Sequence, residues 1–88
     1  MKVSNMVSSK GNDVPNQFEI DSPLGRTFQS YKSIIAFIDR TGKVTLDEYY
    51  WNYSRTTSKY LSLFLDSSTL ETKKRIKEGV YTLANLNP

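Results

Sequence analysis

The side chains best able to do chemistry or recognition concentrate between Tyr49 and Leu65, in YYWNYSRTTSKYLSLFL, which holds the only Trp and four of the six Tyr. Tyr and Trp present rigid amphipathic area at low entropic cost, so such a cluster suits a protein interface or a platform on which bases stack. A small domain also needs large side chains inside, and Trp51 and Phe64 are expected in the core. Tyr49 and Tyr50 remain as candidates for a surface role. Ser54-Arg55-Thr56-Thr57 marks an expected helix start, where free amides, hydroxyls and the positive end of the dipole can hold an anion. Ordinary N-capping needs only one of those hydroxyls. The candidate partner-binding residues are therefore Tyr49, Tyr50, Arg55 and Lys59.

Catalytic chemistry has little to work with. The chain has no Cys and no His, which removes the thiolate nucleophile, the imidazole base, the usual zinc site and the disulfide. Catalysis would rest on carboxylates, Tyr or Lys. The one adjacent acidic pair, Asp47-Glu48, would point to opposite faces of a strand. No Gly-rich phosphate loop and no metal-ligand spacing occurs. The expectation is a protein that is not an enzyme, with no cofactor and no metal site.

A second group of residues points elsewhere. Lys73, Lys74, Arg75 and Lys77 lie in an expected helix whose apolar content is thin, Leu70 and Ile76. Joined to the preceding helix across Asp66-Ser67-Ser68, it could be read as a helix-turn-helix with those four residues meeting phosphates or guanine edges. A basic run is more often a solvated helix face. The net charge of +3, with pI about 9.2, falls to +2 once Lys2, Lys10 and Asp13 of the N-terminal segment are set aside. Charge alone is too weak to imply nucleic acid.

These residues must be positioned by a single small domain of 88 residues. Residues 1–17, rich in Ser, Asn, Lys, Gly and Pro, read as a flexible arm, with docking of part of it as an edge strand as the alternative. Phe18–Ile20 reads as a short strand, followed by turn chemistry at Asp21–Gly25. Thr27–Asp39 reads as one central strand, apolar on both faces. Asp39–Lys43 makes a hairpin loop with Gly42 at positive φ, and Val44 opens a second strand reaching into Tyr49–Tyr53. A helix starting at Ser54–Thr56 carries a stripe of Tyr60, Leu61, Phe64 and Leu65. Ser68-x-x-Glu71 forms a capping box for a second helix ending at Gly79. Val80–Ala84 closes the sheet. The expected fold is α+β, with residues 18–88 forming a small antiparallel sheet of three to four strands around a central hairpin and two helices packed on one face. No apolar run is long enough to cross a membrane, and residues 1–17 lack the apolar block of a signal peptide, so a cytoplasmic protein is expected.

Ser30-Tyr31, Ile34-Ile35-Ala36, Val44-x-Leu46 and the run from Trp51 through Ser54-Arg55-Thr56-Thr57-x-Lys59 to Leu65 form a recognisable pattern. It resembles small uncharacterised proteins encoded by phages and mobile elements of low-GC Gram-positive bacteria, which share the SY…IA strand and the YS-x-TT-x-K step into a helix. The likeness covers roughly residues 28–65 and extends to a later stretch, residues 79–86. It implies a phage-type accessory protein in the cytoplasm of a bacterial host, acting by stoichiometric binding to a host or phage protein, with inhibition of a bacterial defence such as CRISPR as the plausible role. The alternative is a nucleic-acid-binding or regulatory module. The chain is expected as a monomer or, through strand pairing at an exposed sheet edge, a homodimer. On the nucleic-acid alternative, DNA affinity falls steeply with salt and is abolished by charge reversal at Lys73, Lys74 and Lys77; binding that survives the reversal removes that reading.

Overall fold

The computed structural model describes Met1–Pro88. The chain runs β1 (Lys2–Val7), β2 (Asp13–Ser22), β3 (Gly25–Ser30), β4 (Ser33–Asp39), β5 (Val44–Asp47), α1 (Arg55–Leu65), α2 (Thr69–Lys77) and β6 (Tyr81–Ala84). All six strands share one sheet in sequence order. The first four pairings are antiparallel, and β6 joins β5 in parallel after the two helices. The expected antiparallel sheet of three to four strands is thus corrected to a mixed sheet of six, still within the α+β class.

Three local features account for the difference. Residues 1–17, expected as a flexible arm, supply β1 and the start of β2, with Val3 opposite Ile20 and Asn5 opposite Phe18. A polar composition with Gly11 and Pro15 hides this, because neither strand has the sustained apolar alternation that marks a hairpin in sequence. Thr27–Asp39 is not one strand but a hairpin, broken at Tyr31-Lys32, where Tyr31 adopts a left-handed φ of 55°. Strand β5 ends at Asp47, so Tyr49–Tyr53 turns back instead of extending.

The register reads straight across the sheet. Val3, Ile20, Thr27, Phe37, Thr45 and Thr82 form one row, and Asn5, Phe18, Gln29 and Ile34 extend the same face. On the other face Phe28, Ala36 and Leu46 lie side by side and meet Tyr60, Leu61 and Phe64 of α1 in one buried cluster. The Phe28 and Phe64 rings stack with centroids 5.7 Å apart. A bulge between Phe28 and Gln29 places Ile35 in the core beside Ala36. Gly25 allows β3 and β4 to close up at one end, since a Cβ there would lie 2.2 Å from the Ile38 carbonyl oxygen.

Capping fixes the helices. Ser54 caps α1 by accepting from the Thr57 amide, and Ser68 and Glu71 form the reciprocal capping box of α2. Gly79, at φ 79°, closes α2 with bonds from its own amide to Ile76 O and from Val80 N to Arg75 O. No helix is long and apolar enough to cross a membrane.

Phe28 has no exposed surface and joins sheet to helix, so Phe28→Ala is expected to cost about 3–5 kcal/mol. That is a large share of the total of roughly 4–13 kcal/mol for a chain of this length. A urea-unfolding midpoint that barely moves would contradict this core.

Candidate functional site

The turn after β5 is built by one side chain. The Asp47 carboxylate accepts from the amides of Tyr49 at 3.1 Å and Tyr50 at 2.8 Å. It also accepts from Leu86 N at 2.8 Å and Asn87 Nδ2 at 2.9 Å. Asn87 reaches on to β4, donating to Ile34 O and accepting from Ile34 N. Leu86, Asn87 and the tyrosine turn are therefore fastened to the same buried group. Burial pushes the Asp47 carboxyl up, but the hydrogen bonds from Tyr50, Leu86, Asn87 and Tyr49 outweigh it and hold its pKa below the ordinary value of 3.8.

So fixed, Tyr50 meets Tyr49 and Tyr53 edge to face, and Tyr49 and Tyr53 are tilted toward each other. Ring centroids are 4.7 Å apart for Tyr49 and Tyr50, 5.4 Å for Tyr50 and Tyr53, and 6.0 Å for Tyr49 and Tyr53. Trp51 is half-buried against the core. Beside the cluster opens a cavity of about 560 Å³, within the range of small-ligand and side-chain pockets. Its wall combines Tyr50, Tyr53, Ser54 and Thr57 with Tyr31, Lys32 and Ser33 of the β3–β4 turn, over Ser30 and Ile35. The lining holds one cation, Lys32, and no acid.

A chain of hydroxyls runs along this wall. Ser54 Oγ donates to Thr57 Oγ1 at 3.1 Å, and Thr57 Oγ1 lies 3.0 Å from Ser30 Oγ. Three hydroxyl protons serve two such contacts, so one is left to donate to a neighbour of another kind. The same chain pins the start of α1 to the end of β3. Opposite Ser30, the wholly buried Gln17 has a side-chain amide with no partner on either atom.

Of the residues expected here, Tyr49 is exposed at the edge of the cluster and Tyr50 lines the cavity. Arg55 and Lys59 are exposed one turn apart on α1 but stand outside the cavity, with Lys59 Nζ 5.4 Å from the Tyr60 ring. Tyr31, Lys32 and Tyr53 were not singled out by sequence. The polar break Tyr31-Lys32-Ser33 between two β-rich runs is the signal that would have revealed the turn.

The four basic residues of α2 do not act as one face. Lys73, Lys74 and Lys77 are exposed, whereas Arg75 folds back over the Tyr81 ring at 5.7 Å, donates to Tyr81 Oη at 3.1 Å and pairs with Glu71 at 3.6 Å.

Residues 1–79 match the model of a family of unknown function (DUF8033). No curated protein and no solved structure matches the chain.

The lowered pKa of Asp47 has a sign. Its contribution is fully present above the unfolded carboxyl value, about pH 4, and is lost as pH falls through the folded value. Asp39 and Glu71 are also lowered, through bonds from Thr41 and Ser68, and add to the acid-side slope. Asp47→Asn is expected to lose about 1–3 kcal/mol at neutral pH and to flatten part of that slope. Denaturant midpoints from pH 7 down to about pH 3 read both effects; parallel curves for the two proteins would contradict the assignment.

Proposed function

We propose, from the premise that the chain belongs to the DUF8033 family, that it is a non-enzymatic protein acting by stoichiometric binding to another protein through the tyrosine-rimmed cavity. The single observation that carries this reading is Tyr31. An aromatic residue in the left-handed region is strained, typically by about 1–3 kcal/mol; the surrounding structure holds such residues in place, and they cluster at binding and switch sites. Its backbone bonds, Tyr31 N to Asn16 O and Gln29 Nε2 to Tyr31 O, would be kept by any residue. Its side chain is 57% exposed at the mouth of the cavity. The conformation therefore presents a ring to solvent without using it to stabilise the fold.

Around it stand Tyr49 and Tyr53, 68% and 63% exposed, and the half-buried Tyr50. Tyrosines grouped about a concave site are the composition of an interface hot spot. The lining has no acid and no metal-ligand group, which favours gripping a partner's side chain over transforming it. The resemblance to phage accessory proteins supports a bacterial cytoplasmic target, with a defence complex such as a CRISPR effector as the leading class.

The test separates folding from function in one residue. Tyr31→Gly is expected to leave stability unchanged or raise it by up to about 1 kcal/mol. The same change is expected to weaken binding of a protein captured from nuclease-treated host lysate by about 30-fold or more, as is Tyr53→Ala. Capture that disappears with nuclease, or a Tyr31→Gly protein that binds as tightly as the wild type, would overturn the reading.

A further inference from the structure

We infer that the group gripped by the cavity is a single carboxylate, an acidic side chain of the bound protein, held by Lys32 and by a hydroxyl proton of the Ser30–Thr57 pair. This rests on the proposed role of the cavity as the partner's site and gives that role its chemistry.

Two local costs borne by the fold mark this wall as shaped for an occupant. Asn16 and Tyr31 both line the cavity and both are left-handed, at φ 66° and 55°, with the Tyr31 amide donating to Asn16 O at 2.6 Å. Asn tolerates that region; Tyr is strained in it. The second cost is Gln17. Directly opposed residues of an antiparallel pair turn their side chains to the same face, and Gln17 stands opposite Ser30, whose hydroxyl meets Thr57 in the first turn of α1. The Gln17 amide therefore projects to the helix side next to the hydroxyl chain. It is fully buried, and neither its nitrogen nor its oxygen has a partner. Buried amides are ordinarily satisfied, so polar capacity is held unspent directly behind the cavity wall.

The sign of the occupant follows from the lining. Tyrosine faces attract cations. Here, however, Lys32 is the one charged group in the wall, and no carboxylate is present to receive a cation. An incoming ammonium or guanidinium is repelled by Lys32, whereas an anion meets its three N–H donors. A further donor is guaranteed by the hydroxyl count. Ser54 donates to Thr57; if Thr57 donates to Ser30 the Ser30 proton is free, and if Ser30 donates to Thr57 the Thr57 proton is free. Both residues line the cavity, so the free proton is available there in either case.

One cation and one free hydroxyl match one charge shared by two oxygens. A phosphate group carries about −1.5 to −2 charges at neutral pH and is typically met by clustered arginines. The lining contains no arginine. The rings of Tyr31, Tyr50 and Tyr53 are left to pack on the methylene stem of the incoming side chain, which favours a glutamate.

The probe is N-acetyl-glutamate amide, whose one charge is the side-chain carboxylate. It is compared with neutral N-acetyl-glutamine amide and with inorganic phosphate. Each is titrated into the isotope-labelled full chain at about 50 mM salt, where charges are only partly screened, and the amide resonances of Tyr31, Lys32 and Thr57 are followed. The glutamate probe is expected to move all three saturably with a dissociation constant of about 1 mM. The glutamine probe and phosphate are expected to bind at least about tenfold more weakly. Lys32→Gln, at an exposed position, is expected to erase the preference for glutamate over glutamine. Lys59→Gln, exposed but outside the cavity, is expected to leave it unchanged. Equal binding of the two amino-acid probes, tighter binding of phosphate, or a preference that survives Lys32→Gln would each overturn the inference. Capture from nuclease-treated lysate tells its failure from that of the proposed function. Capture weakened by Tyr53→Ala but untouched by Lys32→Gln overturns the carboxylate and keeps the cavity as the partner's site. Selective glutamate binding with no captured protein overturns the protein partner and keeps the carboxylate site.

Discussion

The buried carboxylate of Asp47 holds together the end of β5, the turn that follows it and the residues after β6. Each of those segments brings backbone or side-chain donors that would otherwise be buried without partners, and one ionised group satisfies four of them. A charged acceptor is stronger than a neutral one and tolerates several donors at once, so the cost of burying the charge is offset only while all the donors stay in place. That makes the arrangement cooperative. The tyrosine cluster owes its shape to it, because the two amides that Asp47 accepts belong to Tyr49 and Tyr50 themselves.

Around this clasp the sheet and helices divide the work unevenly. The helix side of β3, β4 and β5 forms the core with α1, while the same side of β1 and β2 sets Lys2, Glu19 and Asp21 beside Met6 and Val14, which pack against that core. The hydroxyl chain from Ser54 through Thr57 to Ser30 joins the two parts at the rim of the cavity. Local strain at Tyr31 and the unpartnered amide of Gln17 lie within one strand pair of that rim. Two further departures, the left-handed Asp66 and the unpartnered Ser67 hydroxyl, lie apart from that rim at the junction of α1 and α2.

How much of this was legible in sequence depended on the range of the interaction. Signals that act within a few residues read correctly: the Ser68–Glu71 capping box, Ser54 as the start of α1, Gly79 at the end of α2, and the loop at Gly42 are all where their residue types place them. Features that depend on pairing between segments did not. Residues 1–17 read as an arm because their polar, Gly- and Pro-containing composition masks the pairing of β1 with the next strand, β2, and the turn at Tyr31 was hidden because Tyr favours strands and rarely takes positive φ. Tyr49–Tyr53 looked extended because nothing local shows that Asp47 gathers its amides. The candidate site was half legible for the same reason: Tyr50 and Ser54 stood out in their own segment, whereas Tyr31 and Lys32 reach the cavity from a turn about twenty residues earlier in the chain.

Parallel pairing of β6 with β5 has a consequence for synthesis. Strands β1 to β5 are joined by short turns and can zip up one hairpin after another as the chain leaves the ribosome. Strand β6 and Asn87 follow after both helices, and Asn87 fastens Ile34, fifty-three positions earlier. Until they do, the amides of Tyr49 and Tyr50 lack half of the framework that orients Asp47. A nascent chain that has not yet added β6 and Asn87 would hold most of its sheet yet leave the Tyr49–Tyr53 turn slack, so the cavity wall takes its shape only after the sheet has formed.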